Sequence, residues 1–308
     1  MDLSAKPTIA VLGATGQQGS AVVNALLDSQ RFAVRALSRN VKSSAANALA
    51  SRGVEVVQAD VYNAGDLERA FAGADGVFFT TLFELAPRLL KNELVQGRNV
   101  ADAAKRAGVK HVIFSTLPSI REISDGKYIH ATQFDEKAEV AEYIRSLDLP
   151  TTFFVYGYFM TNVTRDPNVY RVVGPDAYEL IATVPVHTKV PVTDATGDAG
   201  RAVVKAFLNP TDTIGREYLL SSEYKTIAQL AAEVGRHTGK KIRAVQLTPE
   251  ETSRHVFLRL RPSQDMFNSI HEFGYAPHLT LEPTVQAFGK QGSFADFLAR
   301  EKKVAFPE

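Results

Sequence analysis

Residues 8–19, TIAVLGATGQQG, form a short apolar run followed by Gly13, Gly16 and Gly19. The apolar residues that follow recur at helical spacing, so this glycine turn joins a strand to a helix. Gly13 permits a tight turn, Gly16 lets a pyrophosphate approach the backbone, and Gly19 lets the helix pack against the strand. The free amides and the dipole at the start of the helix favour phosphate charge, and the Thr15 hydroxyl adds a donor.

Strand and helix patterns alternate through the first half of the chain. Strands are predicted over 8–12, 33–37, 54–59, 76–80, 111–115 and 151–156, and helices over 17–29, 64–72, 93–107 and 132–147. This alternation implies crossover units and a parallel sheet covered on both faces. The expected fold class is therefore α/β, a Rossmann-type doubly wound parallel sheet. A glycine turn at its first strand–helix junction predicts dinucleotide binding, against the alternative of a purely structural turn.

The second half is less regular and carries many of the prolines and aromatic residues. We therefore expect a dinucleotide-binding domain over 1–155 and a smaller C-terminal α/β domain over 156–308. The segments near 185–190 and 216–221 are candidates to return to the main sheet, so the second domain need not be contiguous.

Composition and charge exclude several classes of protein. The 308 residues contain no cysteine, which excludes a disulfide scaffold, a zinc ribbon and a cysteine nucleophile. The net charge of +1 argues against a nucleic-acid binder, and no HxH, HExxH or GxSxG pattern indicates a metal site or a hydrolase. The sequence has neither a long apolar run nor a signal-peptide pattern at its start. We expect no metal, no membrane span and a cytoplasmic location, with a nuclear one also open.

The residues after the second strand decide which dinucleotide is expected. NAD binding calls for an acid there, whereas NADP binding calls for a cation. Residues 36–43 read ALSRNVKS, with Arg39 and Lys42 and no acid. A charge-assisted hydrogen bond of about 1.5–3 kcal/mol from Arg39 to the 2′-phosphate would favour NADP(H) over NAD(H). The alternative is a solvated loop arginine. Asp60, after the third strand, is placed to meet the adenine.

Six stretches of the chain resemble a known family. They are GATGQQG (13–19), LSRNVKS (37–43), VEVVQADVYN (54–63), HVIFSTL (111–117), ATQFDEKAEVAEYIRSLDLPTTFF (131–154) and YFMTN (158–162). In these residues the chain resembles the NmrA-like family, an atypical branch of the short-chain dehydrogenase/reductase superfamily. That family includes fungal nitrogen regulators and animal redox sensors, and the chain looks most like the animal sensors. The resemblance implies a Rossmann domain and a smaller α/β domain with NADP(H) between them.

The resemblance also implies cofactor contacts at particular positions. They are Gly13, Ala14, Thr15, Gly16, Gln17, Gln18 and Gly19 in the turn, Arg39, Asn40, Lys42 and Ser43 after the second strand, Asp60 and Val61 after the third, Thr80 and Thr81 ending the fourth, and Lys137, Phe159 and Asn162. One departure stands out. A lysine that the animal sensors carry on the third helix is replaced by Val95, so that contact is expected to be missing.

The catalytic residues expected of the superfamily are incomplete here. Its redox enzymes use a serine, a tyrosine and a lysine four residues after the tyrosine, and the lysine lowers the pKa of the tyrosine. Lys137 matches the lysine, but Gln133 stands four residues before it, and glutamine cannot transfer a proton at neutral pH. Ser115 ends the fifth strand near the serine position. The alternatives are an ordinary exposed lysine and a serine bonded to its own backbone.

Two functions stay open from the sequence. In the first, the protein is an NADP(H)-binding redox sensor or regulator that acts through a protein partner, and a homodimer is open. In the second, it is an NADPH-dependent oxidoreductase, similar to the isoflavone-reductase type, that acts on an aromatic or polyketide-like molecule. Lys137 would then be the acid or base, and Ser115 would polarise the substrate. The residues expected at the substrate cleft are Tyr128, Gln133, Tyr156 and Tyr158.

Overall fold

The computed structural model describes residues 6–83 and 92–307. The strands are β1 (Thr8–Val11), β2 (Ala33–Ser38), β3 (Glu55–Gln58), β4 (Gly76–Thr80), β5 (His111–Thr116), β6 (Thr151–Tyr156), β7 (Tyr158–Phe159), β8 (Tyr170–Gly174), β9 (Ala177–Ala182), β10 (Lys189–Thr193), β11 (Glu217–Leu220), β12 (Glu223–Thr226) and β13 (Lys241–Gln246). The helices are α1 (Gln17–Ser29), α2 (Ser44–Ala50), α3 (Ala64–Phe71), α4 (Glu93–Arg106), α5 (Ile120–Ile123), α6 (Thr132–Ser146), α7 (Thr161–Thr164), α8 (Asp198–Leu208), α9 (Pro210–Thr213), α10 (Ile227–Thr238), α11 (Pro249–Arg254), α12 (Arg261–Phe273), α13 (Glu282–Phe288) and α14 (Phe294–Arg300).

A seven-stranded parallel sheet lies at the centre, in the order β11-β6-β5-β4-β1-β2-β3. The strand order reverses direction between β1 and β4, which is the switch point at which such sheets bind ligands. Helices α1 and α8 bury one face of the sheet, and α3, α4 and α6 bury the other. Strands β5 and β6 are buried along their whole length because both faces are covered. The α/β doubly wound fold expected from the sequence is confirmed.

The second half of the chain adds to this sheet and builds beside it. Segment 217–220 is the edge strand β11, and α8 packs on α1. Gly200 permits that packing, because a Cβ at this position would lie 2.2 Å from the carbonyl oxygen of Ala21. The remaining strands form two three-stranded sheets, β12-β10-β7 and β13-β9-β8.

The expectation that the segment near 185–190 rejoins the main sheet is wrong. Strand β10 instead pairs antiparallel with β12 and parallel with β7, in a separate three-stranded sheet. The domain boundary near residue 155 falls inside β6 and stays a prediction. Within the described residues, no helix is long and apolar enough to span a bilayer.

Candidate cofactor and substrate site

A cavity of about 1630 Å³ lies along the carboxyl ends of the central strands. Its lining comes from the residues that follow each of β1 to β6, and on the opposite side from residues of the second half. Most pockets for a single small ligand hold about 300–1000 Å³. The cavity is therefore large enough for a dinucleotide and a second molecule.

The glycine turn forms one end of this cavity. Gly13 has φ +63°, in the left-handed region that favours glycine. A Cβ at Gly19 would lie 2.1 Å from the carbonyl oxygen of Gly13, so only glycine lets α1 start this close to β1. Helix α1 begins after Gly16 with no side-chain cap, and the cavity is lined by residues 15–19. The amides of this first turn, which no helix bond satisfies, suit a pyrophosphate.

Two contacts fix the turn in place. The Oε1 atom of Gln17 accepts a hydrogen bond from the Thr161 hydroxyl at 2.7 Å, which ties the turn to α7 of the second half. Ala14 is buried in the core beneath the turn and does not line the cavity, unlike its neighbour Thr15. Ala14 thus supports the site by packing, and its expected cofactor contact stays a prediction.

The cation after β2 lies where the sequence expects it. Arg39 and Asn40 line the cavity, and Arg39 is exposed. No carboxylate in the described part of the chain forms an ion pair with Arg39. Lys42 and Ser43 lie outside the lining. The Lys42 amide donates to Asn40 Oδ1 at 3.0 Å, and the Ser43 hydroxyl caps α2. The cavity therefore meets one cation here, whereas the sequence suggested two.

Asp60 and Val61 line the same end of the cavity. The Asp60 carboxylate accepts a hydrogen bond from the Tyr62 amide at 3.0 Å, and the Asp60 amide donates to Asp66 at 3.1 Å. The carbonyl oxygen of Val61 accepts a bond from the Asn99 side chain at 3.0 Å. These bonds hold the turn after β3 in one conformation beside the cavity.

Lys137 reaches the cavity as one half of a buried ion pair that the sequence did not reveal. Its ammonium contacts Glu93 Oε2, and the two residues are 8% and 1% exposed. The Thr81 hydroxyl donates to the same carboxylate oxygen at 2.5 Å. Burial lowers the pKa of Lys137, and the Glu93 carboxylate opposes this effect. The expected alternative of an exposed lysine is therefore wrong.

Other residues predicted for the cofactor or for catalysis also line the cavity. Ser115 is buried at the end of β5 and lines the cavity, and Thr80 Oγ1 lies 3.5 Å from its carbonyl oxygen. The Thr116 hydroxyl donates to the carbonyl oxygen of Lys137 at 3.2 Å, which anchors α6 to β5. Phe159 and Asn162 line the cavity where the chain leaves the main sheet.

Three of the four residues predicted for the substrate cleft line the cavity: Gln133, Tyr156 and Tyr158. Burial raises the pKa of Tyr158 to about 12 and raises that of Tyr156 further, so both stay protonated at neutral pH. The Gln133 side-chain amide nitrogen lies 3.5 Å from the carbonyl oxygen of Pro262. Gln133 therefore spans from the helix of Lys137 to the start of α12.

Tyr128 does not line the cavity, and its expected place in the cleft is wrong. Its hydroxyl donates to Glu272 at 2.5 Å, at the end of α12. Nearby, Asp265 accepts hydrogen bonds from the amides of Ile129 and His130 at 3.0 and 2.9 Å. Tyr128 thus belongs to a clamp that holds α12 against the segment leading into α6.

The sequence did not foresee the opposite wall of the cavity. Residues 256–275 supply much of this wall, and none of their lining members is ionised at neutral pH: Val256, Phe257, Leu258, Leu260, Pro262, Ser263, Met266, Phe267, Ile270 and Tyr275. Asp166, Arg254 and His255 also line the cavity. Val256 and Phe257 are 76% and 50% exposed at this wall. Within the described residues, no group of His, Asp and Glu side chains is arranged to hold a metal ion.

Known proteins share this sequence pattern and fold. The profile of the NmrA-like family matches residues 5–293 of the chain. FrzB, an NmrA-like family domain-containing oxidoreductase of a Cladobotryum species, is 31% identical over 259 residues, which cover 78% of this chain and 76% of FrzB.

Two solved structures are similar over nearly the whole chain. NmrA, a negative transcriptional regulator in complex with NADP, has a TM-score of 0.77 at 23% identity and covers 96% of this chain and 95% of its own. The same regulator is also known in complex with NAD. The Citrobacter sp. triphenylmethane reductase complexed with NADP(H) has a TM-score of 0.75 at 21% identity, with 95% and 99% covered. Because the family profile spans most of its length, the chain belongs to the NmrA-like family.

Proposed function

We propose that this protein is an NADP(H)-dependent oxidoreductase that reduces an uncharged, largely apolar small molecule. The observation that carries the proposal is the continuity of the cavity, which runs from the glycine turn past Lys137 to the apolar wall of residues 256–275. A cavity that served a dinucleotide alone would need neither this volume nor that wall. The oxidoreductase name of FrzB supports the same reading.

The residues on the sheet side fit a dinucleotide phosphate. The glycine turn leaves the amides at the start of α1 available to the pyrophosphate, and Arg39 offers a guanidinium to a 2′-phosphate. We infer from Arg39, and from the lack of an acid after β2, that NADP(H) is preferred over NAD(H). When bound, NADPH supplies a hydride.

The reduction also needs a proton, and Lys137 is the residue in place to donate it. Lys137 lines the cavity, and its ammonium carries the proton that this transfer needs. Ser115 lines the same part of the cavity and can donate a hydrogen bond to a substrate oxygen. Gln133 can orient a substrate through its amide but cannot supply a proton.

The proposal is tested by measuring turnover in a variant whose apolar wall is filled by a larger side chain. NADPH consumption is followed with a panel of uncharged aromatic acceptors, such as quinones and triarylmethane dyes. We expect turnover with at least one acceptor and its loss in Met266→Trp, with NADPH affinity unchanged. The matched control Asn268→Trp lies on the same helix but outside the cavity lining and should retain turnover. Turnover that survives in Met266→Trp would contradict the assigned substrate wall.

A second candidate function is a regulator that senses NADP(H) through a protein partner. Two observations favour it, the glutamine at position 133 and the engagement of Lys137 by Glu93. In this case NADPH would favour one arrangement of the chain over another. The regulator predicts dinucleotide binding without turnover of any acceptor in the panel. It further predicts a cofactor-dependent change in protease sensitivity, and a constant cleavage pattern with and without NADPH would count against it.

A further inference from the structure

Glu93 lies beneath the cavity without lining it. It is the first residue of α4, after Asn92, whose side chain caps the helix by accepting a bond from the Val95 amide. Acids are common in the first turn of a helix because they oppose the dipole, and such residues are normally solvated. Glu93 is instead only 1% exposed, so its burial needs another explanation.

The contacts of Glu93 hold its carboxylate against Lys137. One carboxylate oxygen accepts both the Lys137 ammonium and, at 2.5 Å, the Thr81 hydroxyl. The Glu93 amide donates to the Glu136 carboxylate at 2.8 Å, which draws α4 onto α6. The other carboxylate oxygen of Glu93 is buried, and no partner for it is found in 6–83 and 92–307. Glu93 is thus held by Thr81, directly after β4, and by α6, and it presents one oxygen to the ammonium.

We propose that Glu93 is a positioning residue that keeps Lys137 charged and directed toward the cofactor part of the cavity. This inference rests on the proposed function, because it takes Lys137 to contact bound NADP(H). Glu93 itself touches neither cofactor nor substrate.

Electrostatics give the reason why a carboxylate is needed at this position. A buried ammonium without a counter-charge loses its proton, with pKa values that can fall to about 5–6. Two carboxylates face Lys137, Glu93 from α4 and Glu136 from its own helix, while Thr81, directly after β4, offers a neutral hydroxyl. Glu136 is partly solvated and already accepts the Glu93 amide. Glu93 is therefore the counter-charge in contact with the ammonium.

The test measures NADP⁺ affinity by calorimetry between about pH 5 and about pH 9, without any substrate. The proteins are the wild type, Glu93→Gln, Lys137→Met and the double variant, with Glu139→Gln as the exposed control on α6. Each affinity is divided by that of the wild type at the same pH, which cancels titration of the cofactor's own 2′-phosphate.

We expect Glu93→Gln to lose affinity progressively as the pH rises, by about tenfold at the alkaline end, as Lys137 loses its proton. Lys137→Met should be weaker by a similar factor at every pH, and Glu139→Gln should match the wild type. An affinity ratio for Glu93→Gln that does not change with pH would overturn the inference, because a merely structural role lowers affinity equally at every pH.

The double variant keeps the test decisive if Glu93→Gln folds poorly, because it buries no lone charge. A residue that acts only through Lys137 adds nothing once Lys137 is gone, so the double variant should bind NADP⁺ as Lys137→Met does. Weaker binding by the double variant would overturn the inference. If Lys137→Met binds as well as the wild type, the inference fails while the dinucleotide site stands. If the wild type itself does not bind NADP⁺, the proposed function fails.

Discussion

Replacing Arg39 with alanine tests the cofactor preference at the residue that should set it. Arg39 lines the cavity after β2, where the phosphate of NADP would lie, and none of the described carboxylates competes for it. A charge-assisted hydrogen bond is worth about 1.5–3 kcal/mol. Because Arg39 is exposed, solvent screening lowers the expected contribution to just below this range, about 1.4 kcal/mol or tenfold in affinity.

The assay compares the dissociation constants of NADPH and NADH by fluorescence titration. We expect Arg39→Ala to bind NADPH about tenfold more weakly and NADH as well as the wild type does. Lys42→Ala is the matched control, because Lys42 is also an exposed cation of this loop but lies outside the cavity lining. It should cost NADPH affinity about twofold or less. An equal loss for NADPH and NADH, or none for either, would refute the role given to Arg39.

Three further predictions follow from other parts of the structure. Gly19→Ala should abolish NADPH binding and lower the melting temperature, because its Cβ would lie 2.1 Å from the backbone oxygen of Gly13; a protein that melts and binds like the wild type would contradict this geometry. Asp265→Ala should cost about 1 kcal/mol in urea unfolding and expose α12 to proteolysis, since two partly buried backbone amides lose their acceptor. Burial lowers the pKa of His111 to about 4, so the neutral histidine stabilises the fold above its unfolded pKa of about 6.5, and this contribution is lost as the pH falls toward 4. Urea unfolding should therefore show a loss of about 3 kcal/mol between neutral pH and about pH 4 that His111→Gln lacks, and equal losses in both proteins would exclude His111 as the cause.

The sequence predicts the sheet side of this molecule well because its signals are local. A glycine turn after an apolar run fixes Gly13 and Gly19 to one geometry, and alternating strands and helices have few topologies open to them. The fold class and the NmrA-like family are both confirmed by the structure and the family match. The cytoplasmic location and the domain boundary stay predictions.

Sequence reasoning did not identify Glu93, because its proposed role depends on contacts between three separate segments. In the sequence it reads as an ordinary acid in the first turn of a helix. Only the packing of α4 on α6, together with the end of β4, brings it to Lys137 and Thr81. The place of residues 256–275 in the cavity wall was not predicted for a related reason. The periodic pattern of a helix in the second half does not show which sheet that helix will face.

The clamp joins these two unforeseen features. Asp265 binds the backbone of Ile129 and His130, and Tyr128 binds Glu272, so both ends of α12 are fastened to the segment that leads into α6. Helix α6 carries Lys137, and α12 carries much of the apolar wall. A displacement of α12 would therefore also disturb the segment that leads into α6, the helix of Lys137. Loosening the clamp at Asp265 should therefore impair turnover of an apolar substrate more than NADPH binding, because the wall loses its support directly, whereas Lys137, the proposed proton donor and cofactor contact, is also held by Glu93 and Thr116.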